Sequence, residues 1–278
     1  DKKEGVYKKN KEVIILDLPG TYSLSPYSAE EIVARDYIVK EKPDAVIDIV
    51  DGTGIERNLY LSLQIMETRI PMVIALNMMD EVEQKGDQID CEKLSHILGV
   101  PVIPVVARSG RGLKELMDAA VAVAESGQKP ERMKLFTEDL DNSIRAIANV
   151  LGDENFDENW WKAIKLVEND EVVTNSVDPA KAAAIKDLVD EANKSAGGDA
   201  ESMIADLRYQ YISKLVKDCV KKAHKDHVKT KSDQLDEILT NRILALPIFA
   251  AVMYGMFACT FSENFLFIEG LLSPGKWL

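Results

Sequence analysis

Residues 13–20 read VIILDLPG. Four aliphatic residues ending in Asp17, followed by Leu18-Pro19-Gly20, describe a buried strand whose carboxyl end opens into a turn. Three further runs share that character: residues 45–50 (AVIDIV), 71–77 (PMVIALN) and 101–106 (PVIPVV). Each is continuously apolar rather than alternating, the pattern of strands covered on both faces of a parallel sheet. Helical spacing fills the intervals at 29–40, 56–67, 91–98 and 112–125. Strand and helix in alternation predict a doubly wound α/β domain over residues 1–127, with ligands bound beyond the carboxyl ends of its strands.

Downstream the character changes. Residues 130–232 lack strand-like runs and carry helical spacing: Leu140, Ile144, Ile147 and Leu151 share one face, as do Ile204, Leu207, Tyr211 and Leu215. Asp178-Pro179 reads as an N-cap with proline at the first helical position, and Gly197-Gly198 as a break. Trp160 and Trp161 read as core. An all-α domain is therefore expected over 128–232, with a linker at 233–242. Residues 243–261 (ILALPIFAAVMYGMFACTF) then carry no charge, and Pro247 and Gly255 suit a membrane helix better than a soluble one. One transmembrane helix is expected over 243–262, with an extracytoplasmic segment beginning at 263–278. Lys221, Lys222, Lys225, Lys229, Lys231 and Arg242 precede it and place the earlier domains in the cytoplasm.

A formal net charge of -13 over 278 residues argues against nucleic acid, whose phosphates are bound through a surplus of Lys and Arg. The three cysteines (Cys91, Cys219 and Cys259) are scattered, with no metal-ligand spacing, and fit free thiols in a reducing compartment. The chain opens on Asp1-Lys2-Lys3-Glu4, which is not the apolar core of a signal peptide.

Candidate chemistry follows three strand ends in order. Asp17 can hold a magnesium ion through water, and Gly20 lets a backbone N–H approach a terminal phosphate. In Asn77-Met78-Met79-Asp80, the Asp80 carboxylate can accept from N1–H and the exocyclic amine of guanine. Adenine lacks that donor pair, so Asp80 would select GTP over ATP. Asn77 would tie neighbouring loops together. In Ala107-Arg108-Ser109-Gly110 a backbone N–H can reach the guanine carbonyl oxygen. Each motif alone is weak; the three in order, each at a strand end, read as one nucleotide site.

Residues 17–28 (DLPGTYSLSPYS), 30–37 (EEIVARDY), 56–61 (ERNLYL) and 75–80 (ALNMMD) closely resemble the ferrous iron transport protein B family. Residues 239–242 (LTNR) leading into Pro247-Ile248-Phe249 look like that family's entry to its first membrane helix. The resemblance implies a Ras-like P-loop GTPase domain followed by a helical, GDP-stabilising domain. Asp17 and Gly20 would belong to the third G motif, Asn77, Met78 and Asp80 to the fourth, Ala107 and Arg108 to the fifth, and residues 21–31 to the second switch. GTP or GDP and Mg2+ are the implied cofactors. The implied partners are the bacterial inner membrane, ferrous iron as the transported ion of the full-length protein, small cytosolic accessory proteins and a homo-oligomer.

Several departures stand against that pattern. The phosphate loop, Gly-x-x-x-x-Gly-Lys-Ser/Thr, does not occur; the only Gly-Lys pair is Gly275-Lys276, followed by Trp277. The first strand, that loop and the first helix are expected to precede Asp1, so the chain alone is expected to bind GTP poorly. Met78 stands where many GTPases carry lysine, and Val106 where a serine often precedes the alanine. Thr21 stands where many place a water-orienting glutamine, so it is the candidate catalytic residue and slow hydrolysis is expected. Two other readings stay open: a membrane-tethered regulatory module that no longer binds nucleotide, and a soluble RNA-associated GTPase.

Overall fold

The structure, a computed structural model, describes residues 3–9, 11–24, 29–152, 155–223, 239–241 and 245–261. Residues 1–223 form one compact unit and the rest a second. Three of the four apolar runs make the expected parallel sheet. β3 (Val46–Asp51), β4 (Met72–Asn77) and β6 (Val102–Pro104) lie in that order, with Asp51 opposite Asn77 at their carboxyl ends. The last strand is shorter than its apolar run because Pro101 and Pro104 cannot donate to a ladder.

The first run departs from expectation. β2 (Lys11–Asp17) pairs antiparallel with β1 (Lys3–Lys9), and among the described residues this hairpin is not bonded to the three-stranded sheet. Ile14 is 70% exposed and Ile15 is exposed as well, so VIILD is not covered on both faces. The physical reason is local. β1 (KEGVYKK) supplies one row of hydrogen bonds, and no element among the described residues supplies an apolar cover. On the parallel sheet, the edge of β3 away from β4 has no strand partner among the described residues, and Ile49 is 68% exposed.

Helices cover both faces of the sheet. α2 (Ile55–Glu67) sets Ile55, Leu59, Leu63 and Met66 against Val50, Ile74 and Leu76, the largest core. α4 (Cys91–Leu98) adds Leu94 and Leu98 on that side. α5 (Leu113–Ser126) closes the other face with Leu116, Ala120 and Val123 on Val73, Ala75 and Val105. α1 (Ala29–Asp36) runs into a π-helical turn (Tyr37–Glu41). A short α3 (Met79–Lys85), which the sequence pattern did not suggest, sits between β4 and the two-residue β5 (Gln88–Ile89).

The helical domain forms as its periodicity predicts. α6 (Glu138–Leu151), α7 (Phe156–Val167), α8 (Glu171–Asn175), α9 (Pro179–Ser195) and α10 (Ala200–Cys219) follow in order. Leu140, Ile144, Ile147, Trp160, Trp161, Ile164 and Ile204 form its buried core. The Asp178 side chain caps α9 with Pro179 in its first turn, and Gly197-Gly198 ends that helix at positive φ. α10 belongs to both bodies: Ile204 packs in the helical core, while Ile212, Leu215 and Cys219 pack in the core of the α/β domain. β7 (Val220–Lys221), a strand in a region read as wholly helical, then pairs antiparallel with β5.

In the second unit a helix spans Ala245–Phe261, inside the charge-free run. Among the described residues no helix is long and apolar enough to cross a membrane. Most of the expected linker and the segment from 263 onward lie outside the described residues.

One buried carboxyl makes the fold sensitive to pH. Asp48, on the α2 side of β3, accepts a hydrogen bond from the Ser62 hydroxyl, and burial pushes its pKa up to about 6 against that bond. The folded state therefore holds this proton where the unfolded chain, titrating near the ordinary aspartate value, has released it. The Asp48 contribution to stability is full below about pH 4 and falls by roughly 3 kcal/mol as pH rises to about 6, levelling above. Asp48→Asn is expected to remove that slope in urea titrations run from pH 4 to 7. An unchanged slope would place the titration elsewhere.

Candidate functional site

The carboxyl ends of the three parallel strands meet at one rim. Asn77, the last residue of β4, accepts a hydrogen bond at Oδ1 from the backbone N–H of Ala107 at 3.1 Å. The loop after β6 is thereby joined to the loop after β4. Val105 donates to the Leu76 carbonyl at 2.8 Å and Met79 to the Val105 carbonyl at 3.4 Å, so backbone bonds reinforce the joint. Of the backbone N–H groups at 107–110, where the sequence places a donor for the guanine carbonyl, that of Ala107 is engaged by Asn77.

Asp80 sits in the first turn of α3 with an exposed side chain. Among the described residues its carboxylate has no hydrogen-bond or ion-pair partner, which leaves both oxygens open to a base. Met78, immediately before the helix, adopts φ 61, ψ 29, a left-handed conformation uncommon for a long side chain. That turn sharply reverses the chain between Asn77 and Asp80. The other loop is equally constrained. Val106 donates to the Arg111 carbonyl at 2.9 Å, closing residues 106–111, and Gly110 and Gly112 sit at positive φ. A Cβ at Gly112 would lie 2.2 Å from the Pro104 carbonyl oxygen, so glycine is required there. Arg108 is exposed on this loop.

Asp17 ends β2 with an exposed side chain, and Gly20 follows in an open stretch with nothing near its Cβ position. The loop is anchored by Leu24, fully buried, whose N–H donates to Gln64 Oε1 at 2.7 Å; the Ser23 hydroxyl donates to the same oxygen at 3.0 Å. The Thr21 hydroxyl is already engaged, donating to the Ser23 carbonyl at 2.6 Å, accepting from the Ser23 N–H at 3.2 Å and lying 3.4 Å from Glu31 Oε1 on α1. Among the described residues no cluster of three His, Cys, Asp or Glu could hold a metal alone. A lone Asp17 fits Mg2+, which takes most of its ligands from water and phosphate.

Sequence reasoning missed Gln64, Glu83 and Arg111. Gln64 lay inside a helix pattern, and Glu83 and Arg111 lie beside the motifs rather than in them.

Two family models match the chain. Residues 1–120 match Ferrous iron transport protein B, and residues 136–221 match the FeoB cytosolic helical domain. The structure of mGMPPNP-bound NFeoB from S. thermophilus is 36% identical, covers 82% of this chain and 86% of its own, and superposes with a TM-score of 0.73. The chain belongs to the ferrous iron transport protein B family. A second solved relative, the GDP-bound A143S mutant of the S. thermophilus FeoB G-domain, shares 36% identity over 79% of this chain and 86% of its own, with a TM-score of 0.74. Among curated ferrous iron transporters, an Fe(2+) transport protein A/Fe(2+) transporter FeoB fusion protein of Porphyromonas gingivalis is 37% identical over 93% of this chain. The Fe(2+) transporter FeoB of Escherichia coli is 33% identical over 99% of it. The chain spans about a third of the length of these two curated relatives (32% and 35%). Its α/β and all-α bodies are therefore the G domain and cytosolic helical domain of the ferrous iron transport protein B fold.

Proposed function

We propose that this chain is the guanine-nucleotide-binding cytosolic portion of a bacterial ferrous iron transporter, coupling nucleotide state to a membrane permease. The observation that carries the reading is the rim where Asn77 joins the Ala107 loop beside the unpartnered Asp80 carboxylate. Solved relatives bound to GDP and mGMPPNP support it. In this reading Asp80 reads guanine, and Asn77 and the Ala107–Arg108 loop enclose the base while Met78 turns the chain between them. Gly20 faces the terminal phosphate, and Asp17 holds Mg2+ through water. The ion supplies charge neutralisation on the phosphates. Thr21 must release Ser23 before it can orient water, which makes hydrolysis slow.

The phosphate loop and its strand come, in this reading, from residues that precede Asp1 in the parent protein. Among the described residues the edge of β3 away from β4 is open and Ile49 on that strand is exposed, which supports a further strand there. The charge-free run around Ala245–Phe261, with Leu246, Phe249 and Tyr254 exposed, supports a first span in the inner membrane. Ferrous iron is the cargo named in the curated relatives.

A fluorescent GDP titration, with ATP and GTP as competitors, tests this on the chain and on the full-length protein. Binding by the full-length protein alone, competed by GTP and not ATP, is expected. No binding by either would favour a tethered module that has lost its nucleotide. With binding in hand, an unchanged turnover in Thr21→Ala would leave Thr21 without a catalytic role.

A further inference from the structure

Asp80 and Glu83 lie three residues apart on α3, and side chains at that spacing share a helix face. They are treated differently. Arg111 makes a forked pair with Glu83, Nη1 to Oε2 at 3.1 Å and Nη2 to Oε1 at 2.8 Å, while Asp80 has no partner among the described residues. The backbone of Arg111 is fixed by the Val106 bridge on one side and by the sterically required Gly112 on the other. Its guanidinium is therefore tethered within one helical turn of the carboxylate that the proposed function assigns to guanine. Hydrogen bonding to Glu83 first, and the charges of Glu83 and Asp80 after it, hold Arg111 above the ordinary guanidinium range. Both carboxylates thus attract it.

We propose that Glu83 parks Arg111 and so keeps Asp80 open for the base. An arginine paired one helical turn from a free carboxylate that already acts on its charge is a competitor for it, since a guanidinium fits a carboxylate fork as well as the guanine edge does. Glu83 supplies the alternative fork. The pair also clips the loop after β6 to the helix that carries Asp80, so both halves of the base site move together. Glu83 and Arg111 are positioning residues; neither contacts the nucleotide.

The inference rests on Asp80 as the base-reading group, and the test separates the two. In the full-length protein, Glu83→Gln, Arg111→Gln, the double variant and Asp80→Asn are compared by fluorescent GDP titration. Both Glu83 and Arg111 side chains are more than half exposed (56% and 52%), so the single variants are expected to fold. Glu83→Gln is expected to weaken GDP about fivefold, the scale of an exposed ion pair formed in competition. Arg111→Gln should stay close to the parent, and the double variant should return to the Arg111→Gln value. High salt should shrink the Glu83→Gln deficit by screening the competing pair. A merely structural clip predicts equal losses in all three variants, and that result would overturn the proposal. So would a Glu83→Gln affinity equal to that of the parent, its loss below about 1.4-fold, the lower end of the exposed-pair scale. If Asp80→Asn itself leaves GDP binding intact, the base-site reading falls and the parking role with it. A defective Asp80→Asn beside a silent Glu83→Gln removes the parking role alone.

Discussion

Asp80→Asn in the full-length protein is expected to lose guanine nucleotides by at least about a hundredfold and to gain xanthine nucleotides in return. The carboxylate offers two acceptors to the two donors on the guanine edge, and charged hydrogen bonds contribute about 1.5–3 kcal/mol each. An asparagine keeps one acceptor but presents an amide N–H2 where the exocyclic amine of guanine also donates. Two donors then face each other. The cost is the lost bond plus an unpaired donor, about 3 kcal/mol or more, which is two decades of affinity. Xanthine carries a carbonyl oxygen where guanine carries that amine, so the same amide becomes its complement. Titration of the variant with fluorescent GDP and its xanthosine counterpart reads both halves. Guanine affinity within threefold of the parent, on the order of 0.7 kcal/mol, would mean that Asp80 does not read the base.

How far the sequence announced this site depends on which residues are considered. β4 was legible because a strand covered on both faces has no polar position to interrupt its apolar run, as MVIALN has none before its final Asn77; β3 was legible despite Asp48, whose one polar position is buried against Ser62. α2, α4 and α5 were legible from the spacing of their buried residues. VIILD looked the same as those strands but was not: its pattern encodes a demand for cover, and among the described residues nothing meets it at Ile14. β1 went unread because KEGVYKK carries too few apolar residues to show a period. α3 is a single short stretch, MDEVEQK, and β5 and β7 are two residues each, below the length at which periodicity exists. Asn77, Asp80 and Ala107 were named from motif order alone. The Asn77–Ala107 bond spans thirty residues and is visible only once strands are paired.

Buried charge was the least legible feature, and it makes the other large prediction. Arg208 on α10 is fully buried, with Nε and Nη2 donating to Glu67 of α2 at 2.9 and 2.8 Å. Nη1 donates to Glu168, the residue that ends α7, and to the Tyr60 hydroxyl at 3.3 Å. Lys165, also buried, donates to the other oxygen of Glu168 at 2.7 Å. One guanidinium thus holds together the α/β domain and two helices of the helical domain, its partners 141 and 40 residues away in sequence. A second buried pair, Arg35 Nη1 with Asp170 Oδ2 at 3.1 Å, ties α1 to the start of α8. Arg208→Met fills the volume but strands Glu67, leaves Glu168 with Lys165 alone, and should cost about 3–5 kcal/mol of unfolding free energy. The Glu168 contribution to the pH response should change as well. Burial pushes Glu168 up, but the charges of Arg208 and then Lys165 outweigh it and hold its pKa below the ordinary glutamate value. In the parent this contribution is complete above that ordinary value, near pH 4.5, and is lost as pH falls through the lower folded value. Without Arg208 only Lys165 opposes burial at Glu168, so its pKa is expected to rise toward or above the unfolded value, and the Glu168 contribution lost on acidification should shrink or reverse. Urea unfolding of Asp48→Asn and of the Asp48→Asn/Arg208→Met double variant between pH 3 and 7 measures both, with the Asp48 titration removed from the comparison. A small loss with the parent's slope retained would show that Arg208 does not hold these helices together.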